Sequence, residues 1–126
     1  MSWERLTRQV NDITYVVGEF NQSSFEGVKI FEFKTSVKVI LTSGIWKHVE
    51  RELAKKNVAV KTEFSNDEFK VMVILPPSLD WQTKKREIIS IISWAFLKFM
   101  QQEVEEQGQS AFEAPEVIKK EPKSEW

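Results

Sequence analysis

The sequence predicts an α+β domain: a four-stranded, mainly antiparallel sheet with an N-terminal helix, a middle helix and a long apolar C-terminal helix, in the order α-β-β-α-β-β-α. Three observations predict it. Val58, Val60, Thr62 and Phe64 alternate with Ala59, Lys61 and Glu63, and Phe69, Val71, Val73 and Leu75 alternate with Lys70, Met72 and Ile74, around Ser65-Asn66-Asp67. Such period-two alternation about a turn is the pattern of a β-hairpin. Ile88 to Met100 is apolar at nearly every position, a run of helical length. The chain has 126 residues, 41% hydrophobic and 29% charged, the balance of one globular domain able to bury a core without cross-links.

Taken in order, Leu6, Val10, Ile13, Val17 and Phe20 recur at three- and four-residue spacing, which predicts an amphipathic first helix. Ser2 would cap it, and Gly18 with Asn21-Gln22-Ser23-Ser24 would end it. Val28 to Leu41 is β: Phe31, Phe33, Thr35, Val37, Val39 and Leu41 share one parity, and Lys34, Ser36 and Lys38 the other. One bent strand and a hairpin turning at Lys34-Thr35-Ser36 both fit, and length favours two strands. Thr42-Ser43-Gly44 opens the second helix, with Ile45, Val49 and Leu53 on one stripe, Trp46 beside them, and Asn57 as a left-handed close. Glu52 and Lys56 stand at pairing distance along it. After the hairpin, Pro76-Pro77 stops the strand. Ser78 or Asp80 caps the last helix, which is expected to reach about Gln107. The domain therefore spans residues 1–107, and 108–126 form a polar tail containing Phe112 and Trp126.

Composition excludes several function classes. There is no cysteine, hence no disulfide, thiolate metal site or cysteine nucleophile. Met1-Ser2-Trp3-Glu4-Arg5 leads into no apolar run, so no secretory signal is expected. The apolar run is too short to span a bilayer, which needs roughly 20 residues. A cytoplasmic, non-membrane protein is the expectation. The net charge of −1 argues against a general nucleic-acid coat protein, while the abundant Lys and Glu lean towards a thermophile.

Catalytic or cofactor chemistry is not expected. His48 is the single histidine, on the charged side of the second helix. Asp12, Asp67 and Asp80 each fit a helix surface, turn or cap. No metal-ligand spacing or phosphate-cradling glycine loop occurs. The cations are more suggestive. Lys47, Arg51 and Lys55 form one stripe on the second helix, and Lys84-Lys85-Arg86 sits in the opening turns of the last, where the helix dipole disfavours cations. These six, with Trp46 or Trp81 to stack on bases, are the candidate nucleic-acid contacts, against a plainly solvated charged face.

The last helix carries the expectation about partners. Ile88, Ile92, Trp94, Phe96, Phe99 and Met100 spread around much of its circumference. A four-stranded sheet covers one side; the first helix, the tail or a second copy must cover the rest. A homodimer through these six residues is the expectation, with a monomer whose first helix covers them as the alternative.

The order helix, strands, helix, hairpin, long helix over residues 1–107, the lack of cysteine and the Ile88–Met100 run resemble small single-domain proteins of hyperthermophilic archaeal viruses. They also resemble the atypical single-stranded-DNA-binding proteins of such archaea. The resemblance implies a nucleic-acid cleft on a small sheet and a dimerising C-terminal helix, and, for a viral protein, the host cytoplasm. The expected function is thus a non-catalytic, homodimeric nucleic-acid-binding accessory protein. The alternative is an interaction or assembly subunit working through the apolar helix and tail.

Overall fold

The computed structural model describes residues 3–108, and the expected tail lies outside them. The chain runs β1 (Glu4–Val10), β2 (Ile13–Phe25), β3 (Val28–Thr35), α1 (Gly44–Ala54), β4 (Ala59–Ser65), β5 (Glu68–Leu75) and α2 (Trp81–Gly108). The class is α+β as expected, but the sheet has five strands, in the order β1-β2-β3-β5-β4, and there are two helices among the described residues. All strand pairs are antiparallel.

The expected first helix is the hairpin β1–β2, and its helix-like spacing has a specific origin. Leu6 and Val10 are four apart on one face of a strand, as are Ile13 and Val17. Val10 pairs with Ile13 across a two-residue turn, which supplies a spacing of three. Leu6 then faces Gly18 while Thr7 faces Val16, so Val17 is the extra residue of a β-bulge. The bulge switches parity and brings Val17 and Phe20 to the same buried face. A hairpin with a bulge thereby reproduces a helical stripe, and the β-branched and aromatic run from Ile13 to Val17 decides for strand. Asn11 takes the left-handed conformation in the turn (φ 57°).

Thr35 anchors the bulge. Its buried hydroxyl donates to the Val17 carbonyl oxygen at 2.7 Å and accepts from the Val37 N–H at 3.0 Å. One side chain thus satisfies the carbonyl of the bulged residue and turns the chain out of β3. Val28–Leu41 is accordingly one strand to Thr35 and not two. Val37 and Val39 stay buried, but in an irregular link to α1. At Gly18 the bulge presses the backbone against β3, where a Cβ would run into the Lys34 carbonyl oxygen and crowd Phe96 and Thr35.

The remaining elements follow their local signals. Ser43 caps α1 by accepting the Trp46 N–H, and Asn57 closes the turn after it at φ 59°. The β4–β5 turn places Asn66 and Asp67 at positive φ, and the β2–β3 turn does the same with Glu26 and Gly27, as the tightest hairpin turns require. Asp80 caps α2, accepting from the Gln82 N–H and the Thr83 hydroxyl.

Both helices pack on one face of the sheet. Phe31, Phe33, Phe69, Val71, Val73 and Leu75 meet Ile88, Ile92, Ala95, Phe96 and Phe99 there, with Trp46, Val49 and Leu53 of α1. α1 runs alongside α2 in the opposite direction, held by the His48–Trp94 edge contact and the Lys56–Glu87 ion pair at 2.9 Å. Arg8 of β1 donates to the Ser90 carbonyl at 2.9 Å and to both the Ser90 and Ser93 hydroxyls. The serines that interrupt the apolar run therefore receive a guanidinium.

Thr35→Val, which keeps shape and removes the hydroxyl, is expected to cost about 1–3 kcal/mol of unfolding free energy because it strands buried backbone groups. Gly18→Ala is expected to destabilise by a similar roughly 1–3 kcal/mol through overpacking. Urea titrations of the two variants check both; a Thr35→Val protein as stable as the parent would mean that the bulge needs no anchor.

Candidate functional site

Burial decides first among the eight residues expected to hold nucleic acid. Trp46 is 1% exposed, its ring edge-on to Phe69 at 5.3 Å. It is a core residue and cannot stack on a base. The α1 stripe is largely neutralised on its own helix: Lys47 pairs with Glu50 at 3.6 Å and Lys55 with Glu52 at 3.0 Å. Glu52 thus takes Lys55 and not the expected Lys56, which reaches Glu87 on α2. Arg51 is exposed. His48 does not lie on the charged side but is half-buried against Trp94.

The other half of the expected set is gathered differently. Trp81, in the first turn of α2, sets its indole edge-on to Phe31 at 6.5 Å. The ammonium of Lys29, from β3, lies over the Trp81 ring at 4.1 Å. Lys85 reaches the Phe20 ring of β2 at 5.7 Å. Lys84 is half-buried one position before it, and Arg86 projects into solvent. Among the described residues, Lys29, Lys84, Lys85 and Arg86 have no carboxylate partner within ion-pair distance, whereas Lys34, Lys47, Lys55 and Lys56 do. The nearby Asp80 carboxylate is turned back onto its own helix terminus. Lys29 is the residue that sequence reasoning missed. Its only signal was parity: it is a lysine on the buried face of β3, which needs a reason to be there.

The expected dimer surface is mostly not a surface. Ile88, Ile92, Phe96 and Phe99 are at most 1% exposed within the single chain. The five-stranded sheet and α1 supply the cover that a four-stranded sheet could not. Trp94 is half-buried against His48, and Met100 is half-buried beside the bulge. Self-association through the buried stripe of α2 would require unfolding its own core, and the apolar-helix surface of the assembly-subunit alternative is removed for the same reason.

No family model matches this chain. No curated protein or solved structure is similar enough to count as a match either.

Among the described residues, no three His, Asp or Glu side chains gather where they could hold a metal ion. An open groove of about 280 Å³ beside the bulge has Glu19, Lys34 and Glu68 as its ionisable lining, and Lys34 is tied to Glu19 at 3.4 Å. No helix among the described residues is long and apolar enough to cross a membrane.

Three carboxylates are held below their ordinary values by hydrogen bonds: Glu52 by Lys55, Asp80 by Thr83, and Glu87 by Lys56. Depressed carboxyl groups contribute stability that is present above their unfolded values, 4.5 for Glu and 3.8 for Asp, and is lost as pH falls through the folded ones. Thermal midpoints are therefore expected to drop between pH 5 and pH 3. Glu87→Gln and Asp80→Asn, which lack the titrating proton, should each flatten that acid limb. Scanning calorimetry across the range checks the sign; a steeper limb in both variants would contradict it.

Proposed function

We propose that this chain is a non-catalytic accessory protein that binds single-stranded nucleic acid with Lys29, Lys84, Lys85 and Arg86 around the Trp81 indole, and that it works as a homodimer. One observation carries the ligand assignment: Lys29 of β3 lies over the half-buried Trp81 indole and Lys85 of α2 over the Phe20 ring, and among the described residues neither has a carboxylate within ion-pair distance. Lys34, Lys47, Lys55 and Lys56 are matched with glutamates, whereas the cations beside Trp81 and Phe20 rest on aromatic rings, which leaves their charge available to an anionic partner.

The mechanism is electrostatic grip with aromatic support. Phosphates of a flexible strand replace the solvent around the four cations, and a base takes the Trp81 face that Lys29 covers in the free protein, releasing that ammonium towards a phosphate. Stacking tolerates any base, so little sequence preference is expected. Single strands fit better than duplex, because the indole needs an unstacked base to contact. The reading keeps the ligand class that the architectural resemblance implied. Its support is the β3–α2 cations and not that resemblance, whose first element is a hairpin in this chain.

Neutralising four phosphates on a single strand gives a log–log salt slope of about −2.8, or roughly 50-fold weaker binding from 50 to 200 mM salt. Fluorescence anisotropy with a labelled oligothymidine measures it. Lys85→Glu with Arg86→Glu should abolish binding at 200 mM salt, while Lys47→Glu with Lys55→Glu should change it little. Absence of binding at micromolar protein and 50 mM salt ends the proposal, as does loss of binding only in the α1 variant.

A further inference from the structure

β4 is the last strand of the sheet, and its outer edge is bare. The order β1-β2-β3-β5-β4 pairs it with β5 on one side only. Among the described residues, no backbone hydrogen bond from another segment reaches its other side. Such an edge is a template for a further strand, and proteins blunt it with proline, a bulge or an inward-pointing charge. The opposite edge is blunted: β1 shifts register between Leu6 and Thr7, and Arg8 points inward to the Ser90 carbonyl. β4 runs from Ala59 to Ser65 without proline, in unbroken register with β5. Val60, Thr62 and Phe64 pair with the buried Val73, Val71 and Phe69, which puts them on the helix side of the sheet. The charged Lys61 and Glu63 alternate with them and lie on the side away from the helices.

We infer that the β4 edge pairs antiparallel with the β4 edge of a second copy of this chain, about a twofold axis normal to the sheet at Thr62. The strand's own charges select this occupant and this register. Thr62 is the midpoint of Ala59–Ser65, so the strands pair along their whole length. Lys61 then lies opposite the partner's Glu63, and Glu63 opposite the partner's Lys61. Val60 lies opposite the partner's Phe64, a residue 59% exposed in the single chain. Thr62 meets its own copy, a favourable cross-strand pair. Opposed residues must share a face of the sheet, so the nearest slips move the axis to Lys61 or to Glu63. The first sets Lys61 on Lys61, and the second sets Glu63 on Glu63. Like charges directly opposite are destabilising, so the strand favours one register and penalises both neighbours.

The contact is a strand addition. Main-chain bonds supply its affinity and side chains its specificity, so it does not depend on the broad area of a face-to-face interface. An antiparallel ladder of this length makes about six to eight backbone hydrogen bonds, two for each hydrogen-bonded pair. The twofold closes the assembly, and the blunted β1 edge ends the joined sheet at both sides. An axis normal to the sheet keeps the helices of both copies on one face. Trp81 packs on Phe31 of β3, two strands in from the joined edge. Each copy therefore keeps its cationic patch accessible, and both patches face the same way.

This inference rests on the homodimer part of the proposed function and assigns its surface. Sedimentation equilibrium of the full chain at roughly 200 µM, where a dissociation constant of about 20 µM leaves most chains paired, should give a mass approaching twice the 14.8 kDa of one chain. Lys61→Glu sets glutamate against glutamate at both charged pairs, and Glu63→Lys sets lysine against lysine. Each alone should weaken the dimer about 10-fold. The double variant exchanges the two charges within one chain and should dimerise like the parent. Both sites are exposed, and circular dichroism confirms that each variant folds. Amide exchange gives a second readout: the outward N–H groups at alternate β4 positions should slow as the chain is concentrated from roughly 5 to 200 µM. A parental chain that stays at 14.8 kDa overturns both the interface and the homodimer reading, and leaves nucleic-acid binding to its own test. A parental dimer that neither single variant weakens, that the double variant fails to restore, or whose amide protection lies outside β4 overturns the interface alone.

Discussion

Between Val16 and Gly18 the second strand gains one residue on the first, and much of the molecule depends on how that extra residue is held. Without the bulge, Val17 and Phe20 would point to opposite faces, and the N-terminal hairpin could not cover α2. With it, β2 bends over the helix, Gly18 lets the backbone approach Phe96, and the Val17 carbonyl needs a new donor. Thr35 supplies that donor while accepting the Val37 N–H. The end of β3, the bend of β2 and the enclosure of α2 are thus linked through one hydroxyl. An unanchored bulge would leave a buried carbonyl unpaired, which costs more than a hydrogen bond contributes.

Enclosing α2 on its own sheet changes what the surface offers. Ile88, Ile92, Phe96 and Phe99 are used up inside the chain and leave no apolar stripe of α2 for a partner. Net charge is almost zero, but it is not uniformly mixed. Glutamates pair with Lys47 and Lys55 of α1, and among the described residues no ion pair is made by Lys29, Lys84 or Lys85 beside Trp81. Cations near the positive end of a helix are unfavourable by dipole alone. Here Lys85 gains a ring beneath it, and Lys29 gains the Trp81 face. Aromatic faces attract ammonium groups without neutralising them, leaving the positive potential available to a ligand.

Particular residues show where local pattern was enough and where it misled. Asn66 and Asp67 between alternating runs specified a tight hairpin, and Ser43 specified a cap; both are decided within a few residues of chain. The stripe from Leu6 to Phe20 misled because a hairpin turn and a bulge each insert an odd step, and two odd steps among even ones imitate a helix. Trp46 looked free because it stands beside the Ile45–Val49–Leu53 stripe. Its burial depends on Phe69, 23 positions away in sequence. Of the candidate site, Trp81 and the Lys84–Arg86 run were legible as a local breach of the dipole rule. Lys29 was not, because its role exists only once β3 lies under the start of α2.

By itself the sequence determined the α+β class, the β4–β5 hairpin, the opening of α1 at Thr42-Ser43-Gly44, the start of α2 at Ser78 or Asp80, and the absence of cysteine. Each of these rests on periodicity, turn chemistry or residue type, which act over a few neighbouring positions. Tertiary structure alone decided that the N-terminal segment is β, that five strands cover the apolar helix, that Lys56 pairs with Glu87, and which cations are without an ion pair among the described residues. Those outcomes depend on which distant segments share a hydrogen-bonded register. Helix and bulged hairpin satisfy the same apolar spacing, and only packing against β3 and α2 separates them.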